Sequence, residues 1–153
     1  MTQKNKDLLL KDLCTRQIYN VKCKVFDDTN SYTLSGVLHN KPYSQLYFLE
    51  LDWKEFDGFV DVKYCKPYLF PLSSMTDEQA EELFNLFGLE CPSTEEDYIK
   101  INEVTGITFF LNNGFDVETH LDKLTDWLNK HHLDYRGLIP KGLALDATEL
   151  NIY

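Results

Sequence analysis

Two adjacent histidines, His131 and His132, stand just ahead of Asp134, and by side-chain type this is the group best equipped for proton transfer or metal binding. Neighbouring helical positions point about 100° apart, whereas ligands that share a metal sit three or four residues apart on one face. The two rings therefore do not suit a single ion, and His120 lies too far back to join either. The expectation is that His131 packs on a helix face and His132 meets solvent. Tyr135 and Arg136 follow at once. Arg136 is one of two arginines in the chain, with Arg16, and in an acidic neighbourhood it is expected to anchor to carboxylates or to the carbonyls that end a helix. Tyr135 and Arg136, together with Trp53 and Phe56, are the candidate binding residues.

Other reactive side chains carry less. Cys14, Cys23, Cys65 and Cys91 show neither a Cys-x-x-Cys pair nor a cysteine-hydrolase signature, so buried and inert thiols are expected. The carboxylate pairs Asp27-Asp28, Glu81-Glu82 and Glu95-Glu96 read as solvated charges. Phosphate-binding glycine loops, the nucleophile elbow and the His-Glu-x-x-His zinc motif do not occur. No catalytic residue, metal or cofactor is expected, and the chain is read as a non-enzyme.

The elements that would position these residues divide at the stretch 66–75. Pro67 and Pro71 each remove a backbone donor, so 66–75 is expected to be an extended connector that is neither helix nor central strand, its Tyr68, Leu69, Phe70 and Leu72 pressed onto the core. Before it come a helix over 4–15, with Lys6, Lys11 and Asp12 outward, and strands over 21–26, 32–38, 45–51 and 58–64. Gly36 suggests a bulge. After it, Thr76 and Gln79 have the spacing of a capping box and open a helix that Gly88 closes. Strands over 98–102 and 107–111 are expected to extend the sheet. Asp116 then caps what reads as the longest helix, with Val117, Leu121, Leu124, Trp127, Leu128 and His131 on one face. Gly137, Pro140 and Gly142 mark a tail that folds back. The fold class is α+β: a small curled antiparallel sheet or open barrel with two to three packed helices, as a single domain over 1–153, strand-rich over 1–65 and helix-rich over 76–153.

The net charge of −10 is uneven. Residues 1–75 hold ten Lys or Arg against nine Asp or Glu; residues 76–153 hold five against sixteen. Such an acidic half repels phosphate and lipid headgroups, so nucleic acid and membrane are poor partners for it and a basic protein is the expected one. Free thiols, no leader pattern and no apolar run of the roughly 20 residues that span a bilayer point to the cytoplasm.

The runs KDLCTRQIYNVKCKV at 11–25, KPYLFPLSSMT at 66–76 and DWLNKHHLDYRGLIPKGLAL at 126–145 resemble an uncharacterised family of small proteins met in gut-bacterial genomes, phages and other mobile elements. The resemblance implies a genomic setting and a host or phage partner, with no assigned activity and no site residues. Three functions follow in order. The first is a protein-binding or accessory factor with an acidic C-terminal surface. The second is a small-barrel module that takes a peptide or single-stranded nucleic acid through Tyr32, Tyr43, Tyr47, Trp53, Phe56 and Phe59. The third is a small enzyme that uses His131 or His132 with Asp134.

Overall fold

The structure is a computed structural model that describes residues 1–40, 43–49, 59–86, 98–102, 106–110 and 121–153. In chain order the elements are α1 (Gln3–Arg16), β1 (Lys22–Val25), β2 (Ser31–Asn40), β3 (Tyr43–Leu49), β4 (Phe59–Asp61), β5 (Cys65–Leu69), α2 (Asp77–Leu86), β6 (Tyr98–Asn102), β7 (Gly106–Phe110), α3 (Leu121–Lys130) and β8 (Leu145–Asp146). The fold is α+β. Contacts group into two units, Met1–Leu69 with Leu138–Tyr153, and Phe70–Gly137. The boundary between Leu69 and Phe70 falls inside the 66–75 stretch.

In the first unit, α1 starts where Thr2 Oγ1 accepts the Asn5 N–H at 3.3 Å. Leu9, Asp12, Leu13 and Arg16 recur at i, i+3, i+4 and i+7 and all four are buried. Asp12 was expected on the outer face and is instead inside. What permits this is Arg16 one turn on, whose Nε lies 2.7 Å from Asp12 Oδ2 with both side chains fully buried. The apolar part of the stripe joins Val21, Cys23, Val25, Leu34, Val60, Val62, Cys65 and Leu69 in one core. Each fully buried leucine there contributes about 1.5–3 kcal/mol relative to exposure.

That core lies on a sheet ordered β4-β3-β2-β1-β5-β8. All pairings are antiparallel except the last, in which short β8 runs parallel to β5. Because β4 and β8 end the order among the described residues, the sheet does not close into a barrel. The β1–β2 hairpin turns at 26–30, where the Asn30 N–H donates to Asp28 Oδ1 at 3.0 Å. The predicted bulge is present: the β2–β3 register shifts between Leu34 and Gly36, which leaves Ser35 as the extra residue.

The connector reading needs correction, because β5 contains Pro67 and sits between two partners. Phe26 N–H donates to the Tyr64 carbonyl at 2.8 Å. By the alternation of an antiparallel ladder, Lys24 and Lys66 then form a bonded pair and Cys23 and Pro67 a non-bonded one. The nitrogen of Pro67 therefore faces away from β1, and pairing with β8 begins only at Tyr68. A proline fits inside this sheet because no ladder bond is asked of it. The tail returns as predicted: Leu138, Leu143 and Ala144 are buried in this core. The Tyr153 hydroxyl accepts the Lys22 N–H at 3.0 Å and donates to the Tyr68 carbonyl at 2.8 Å.

In the second unit the capping box forms as the spacing requires. The Gln79 N–H donates to Thr76 Oγ1 at 3.2 Å and the Thr76 N–H to Gln79 Oε1 at 3.1 Å. Helix α2 packs Leu83 with Leu124, Trp127 and Leu128 of α3 and with Leu72 and Leu133, and Phe70, Met75 and Tyr135 rest on this cluster. Strands β6 and β7 pair with each other as a separate antiparallel hairpin and do not extend the main sheet, contrary to expectation. Expected features at Gly88, Cys91, Leu111, Asp116 and Val117 lie outside the described residues; among the described residues α1 is the longest helix. Among the described residues no helix is long and apolar enough to cross a membrane.

Candidate functional site

The strands β1 and β5 position the site. Along β1, Cys23 and Val25 point into the core, so Lys22 and Lys24 stand on the opposite face. Along β5, Cys65 is buried and Lys66 exposed, and the register sets Lys66 directly across from Lys24. Like charges in opposed positions cost a strand pair up to about 1 kcal/mol. Lys22 is held aside by a 2.7 Å bond from its Nζ to Thr33 Oγ1, whereas Lys24 and Lys66 are in no salt bridge among the described residues.

Just beyond this pair the chain presents two aromatic rings. Tyr64 ends a 3₁₀ turn over Val62–Tyr64, and Phe26 follows β1. Their rings stack with centroids 4.7 Å apart and planes at 28°, and Lys63 Nζ lies 4.6 Å from the Tyr64 centroid. Phe26 remains 53% exposed and Tyr64 45% exposed, so the stack is not a core contact. Phe26 also holds φ at 54°, a left-handed conformation that a bulky residue seldom adopts. Together Lys24, Phe26, Asp27, Lys63, Tyr64, Lys66 and Leu145 line a cavity of about 360 Å³. That volume is near the lower end of small-ligand sites, roughly 300–1,000 Å³. Among the described residues the lining holds three lysines and one aspartate. At the adjoining turn Asp28 is held below the ordinary carboxylate range, chiefly by its hydrogen bond from the Tyr32 hydroxyl, then by the Asn30 N–H, with a smaller pull from Lys24.

The residues singled out from sequence lie elsewhere. Trp53 and Phe56 lie outside the described residues. Tyr32 is buried with its hydroxyl on Asp28, while Tyr43 and Tyr47 stand in β3 and Phe59 in β4. Tyr135 and Arg136 are half-buried after α3 and are brought together: Arg136 Nη2 donates to the Tyr135 hydroxyl at 2.8 Å, and the guanidinium carbon lies 4.9 Å from that ring. The expectation for Arg136 named carboxylates or helix-ending carbonyls, whereas these two contacts hold it to a tyrosine.

His131 packs on its helix face as expected, its ring 4.2 Å from Trp127. Its Nδ1 is 3.3 Å from Gln79 Nε2 and its Nε2 is 3.2 Å from Glu82 Oε2, which joins the end of α3 to α2. Glu82 loses a little solvation there, which opposes ionisation, but the charges of His131 and Lys130 outweigh this and hold its carboxyl below the usual range. His132 has a backbone duty: at φ 54° it is the left-handed residue that ends α3. Its N–H donates to the Asn129 carbonyl at 3.1 Å and the Leu133 N–H to the Leu128 carbonyl at 3.0 Å, the bond pattern of a Schellman cap. Its side chain is half-buried, not solvated as predicted.

Cys23 and Cys65 are buried free thiols, as expected, and burial together with the neighbouring Cys65 pushes Cys23 well above the usual thiol range. Cys14 is exposed, contrary to expectation, yet partial desolvation raises it as well. Neither Cys14 nor Cys23 has the depressed value of a nucleophile. Sequence reading missed the cavity because Phe26 and Tyr64 are far apart in the chain. The available signal was the Lys-Cys-Lys alternation at 22–24, which put two lysines on one face.

Comparison with known proteins adds no relative: no family model, no curated protein and no solved structure matches the chain.

Proposed function

We propose that this chain is a non-catalytic binding protein whose first unit takes an anionic partner in the cavity on the outer face of the paired strands β1 and β5. The observation that carries this reading is the Lys24–Lys66 pair, two like charges held opposite one another, in no salt bridge among the described residues, beside an exposed aromatic stack. A fold maintains such a pair at a cost, and an anion that bridges both ammonium groups removes it. The charge balance of the units agrees. The first holds eleven Lys or Arg against eleven Asp or Glu, so its lysines are not drowned in acid, whereas the second holds four against fourteen.

The test is binding of a labelled polyanion to the whole protein, followed at rising salt, with K24A/K66A as the comparison. Binding should weaken with salt and fall at least tenfold in the double variant. Equal affinity of the two proteins for every polyanion tried would remove the reading.

A second reading rests on the second unit, which carries the whole net charge of −10. It is an acidic surface for a basic host or phage protein, in keeping with the mobile-element resemblance. Capture from host lysate at low and high salt tests it, and a captured partner indifferent to salt would count against an electrostatic surface.

A further inference from the structure

The proposal here rests on the anion-binding reading of the first unit and names the ligand. We infer that the β1–β5 cavity binds single-stranded nucleic acid, with a base stacked on the open surface of Phe26 and the backbone phosphates on Lys24, Lys63 and Lys66. Three features select this ligand over an acidic peptide. First, the cations surround an aromatic stack: Phe26 lies 4.7 Å from Tyr64 and Lys63 lies 4.6 Å from the same Tyr64 ring. Glutamate and aspartate side chains have no flat apolar surface to set against a ring, whereas every base does. Second, Phe26 is 53% exposed although it adjoins a core-facing strand, and its φ of 54° turns the chain out of the β1 ladder at that residue. Strain that keeps a large apolar ring in water is retained where the ring has a use. Third, Lys24 and Lys66 project side by side from paired strands, so their ammonium groups are available to successive phosphates along a strand.

A duplex does not fit this arrangement, because its bases are already stacked on one another and present no free face to Phe26. Within the first unit acidic and basic side chains are equal in number, eleven each, so that unit's own net charge does not oppose contact with phosphate.

The experiment uses the full chain and a fluorescein-labelled twelve-nucleotide thymidine strand, with polyglutamate of equal charge and thymidine monophosphate as competitors. Three phosphates held by three lysines predict a slope of log K against log salt of about −2. Phe26→Ala should weaken binding roughly tenfold, as expected for loss of one stacked base, and leave the salt slope unchanged. Lys66→Ala should reduce the slope by about 0.7. Both side chains are exposed, and circular dichroism of each variant confirms that it is folded.

Oligonucleotide binding that Phe26→Ala leaves untouched overturns the stacked-base assignment. Displacement of the strand by equimolar thymidine monophosphate overturns the single strand as ligand in favour of a free nucleotide. Polyglutamate that binds as tightly as the strand, in a manner indifferent to Phe26, overturns the nucleic-acid assignment but preserves the anion-binding site. Failure of all three probes at low salt overturns both.

Discussion

The two units treat charge differently. In the first, a buried Asp–Arg pair lies one turn apart on α1, while Lys24 and Lys66 on the outer sheet face are in no salt bridge among the described residues. In the second, Lys130 lies 3.5 Å from Glu82, His131 lies 3.2 Å from the same carboxylate, and the one acid buried among its described residues, Asp134, has no arginine or lysine buried with it. The chain's −10 therefore says little about what it binds. The acid gathers in one unit, and the lysines that line the cavity sit in the other, whose own charges sum to zero. Net charge governs approach at a distance, whereas recognition depends on which charges remain unpaired at contact.

The sharpest way to break this contrast is Arg16→Met. It strands the fully buried Asp12 carboxylate and should cost about 3–5 kcal/mol in chemical denaturation. The double variant D12L/R16M, which removes both charges, should recover most of that loss. A single variant as stable as the parent would show that the pair is solvated and that the first unit does not bury charge.

A smaller effect tests the end of α3. His132→Gly and His132→Val both lose the imidazole, so their difference isolates the backbone. The valine variant should be less stable by about 1–2 kcal/mol, since only glycine adopts φ near 54° without strain. Next comes Thr76→Ala, which deletes one half of the α2 capping box and should lower stability by about 1 kcal/mol. Thermal melts read both.

The smallest expected change concerns Glu82. Its carboxyl is held below the usual range in the folded chain, so it stabilises the fold above its unfolded value, and that contribution disappears as pH falls through its lower folded value. Glu82→Gln should flatten the acid limb of the stability profile and leave the neutral plateau nearly unchanged. An acid limb that survives the substitution would assign the loss to other carboxylates. One such group is Asp61. It is partly desolvated, which opposes ionisation, yet the Lys63 N–H and the Lys6 ammonium, 3.3 Å away, lower it on balance.

Local patterns in the sequence determined the helices and most of the sheet. Leu9 and Leu13 at helical spacing, the alternation of Lys22, Cys23, Lys24 and Val25, Gly36 at a bulge and the Thr76–Gln79 box each act over a few residues, so composition and spacing suffice to read them. Tertiary structure alone decided three other matters. Pro67 entered a strand because the register put its nitrogen where no bond was required. Asp12 went inside because Arg16 was buried with it. The cavity exists because antiparallel pairing placed Lys24 opposite Lys66 and let Phe26 meet Tyr64. Asp12 and Arg16 share one helical turn, but their burial was set by the sheet beneath them; strand partners such as Lys24 and Lys66 are chosen by the whole sheet, and no short window along the chain contains both.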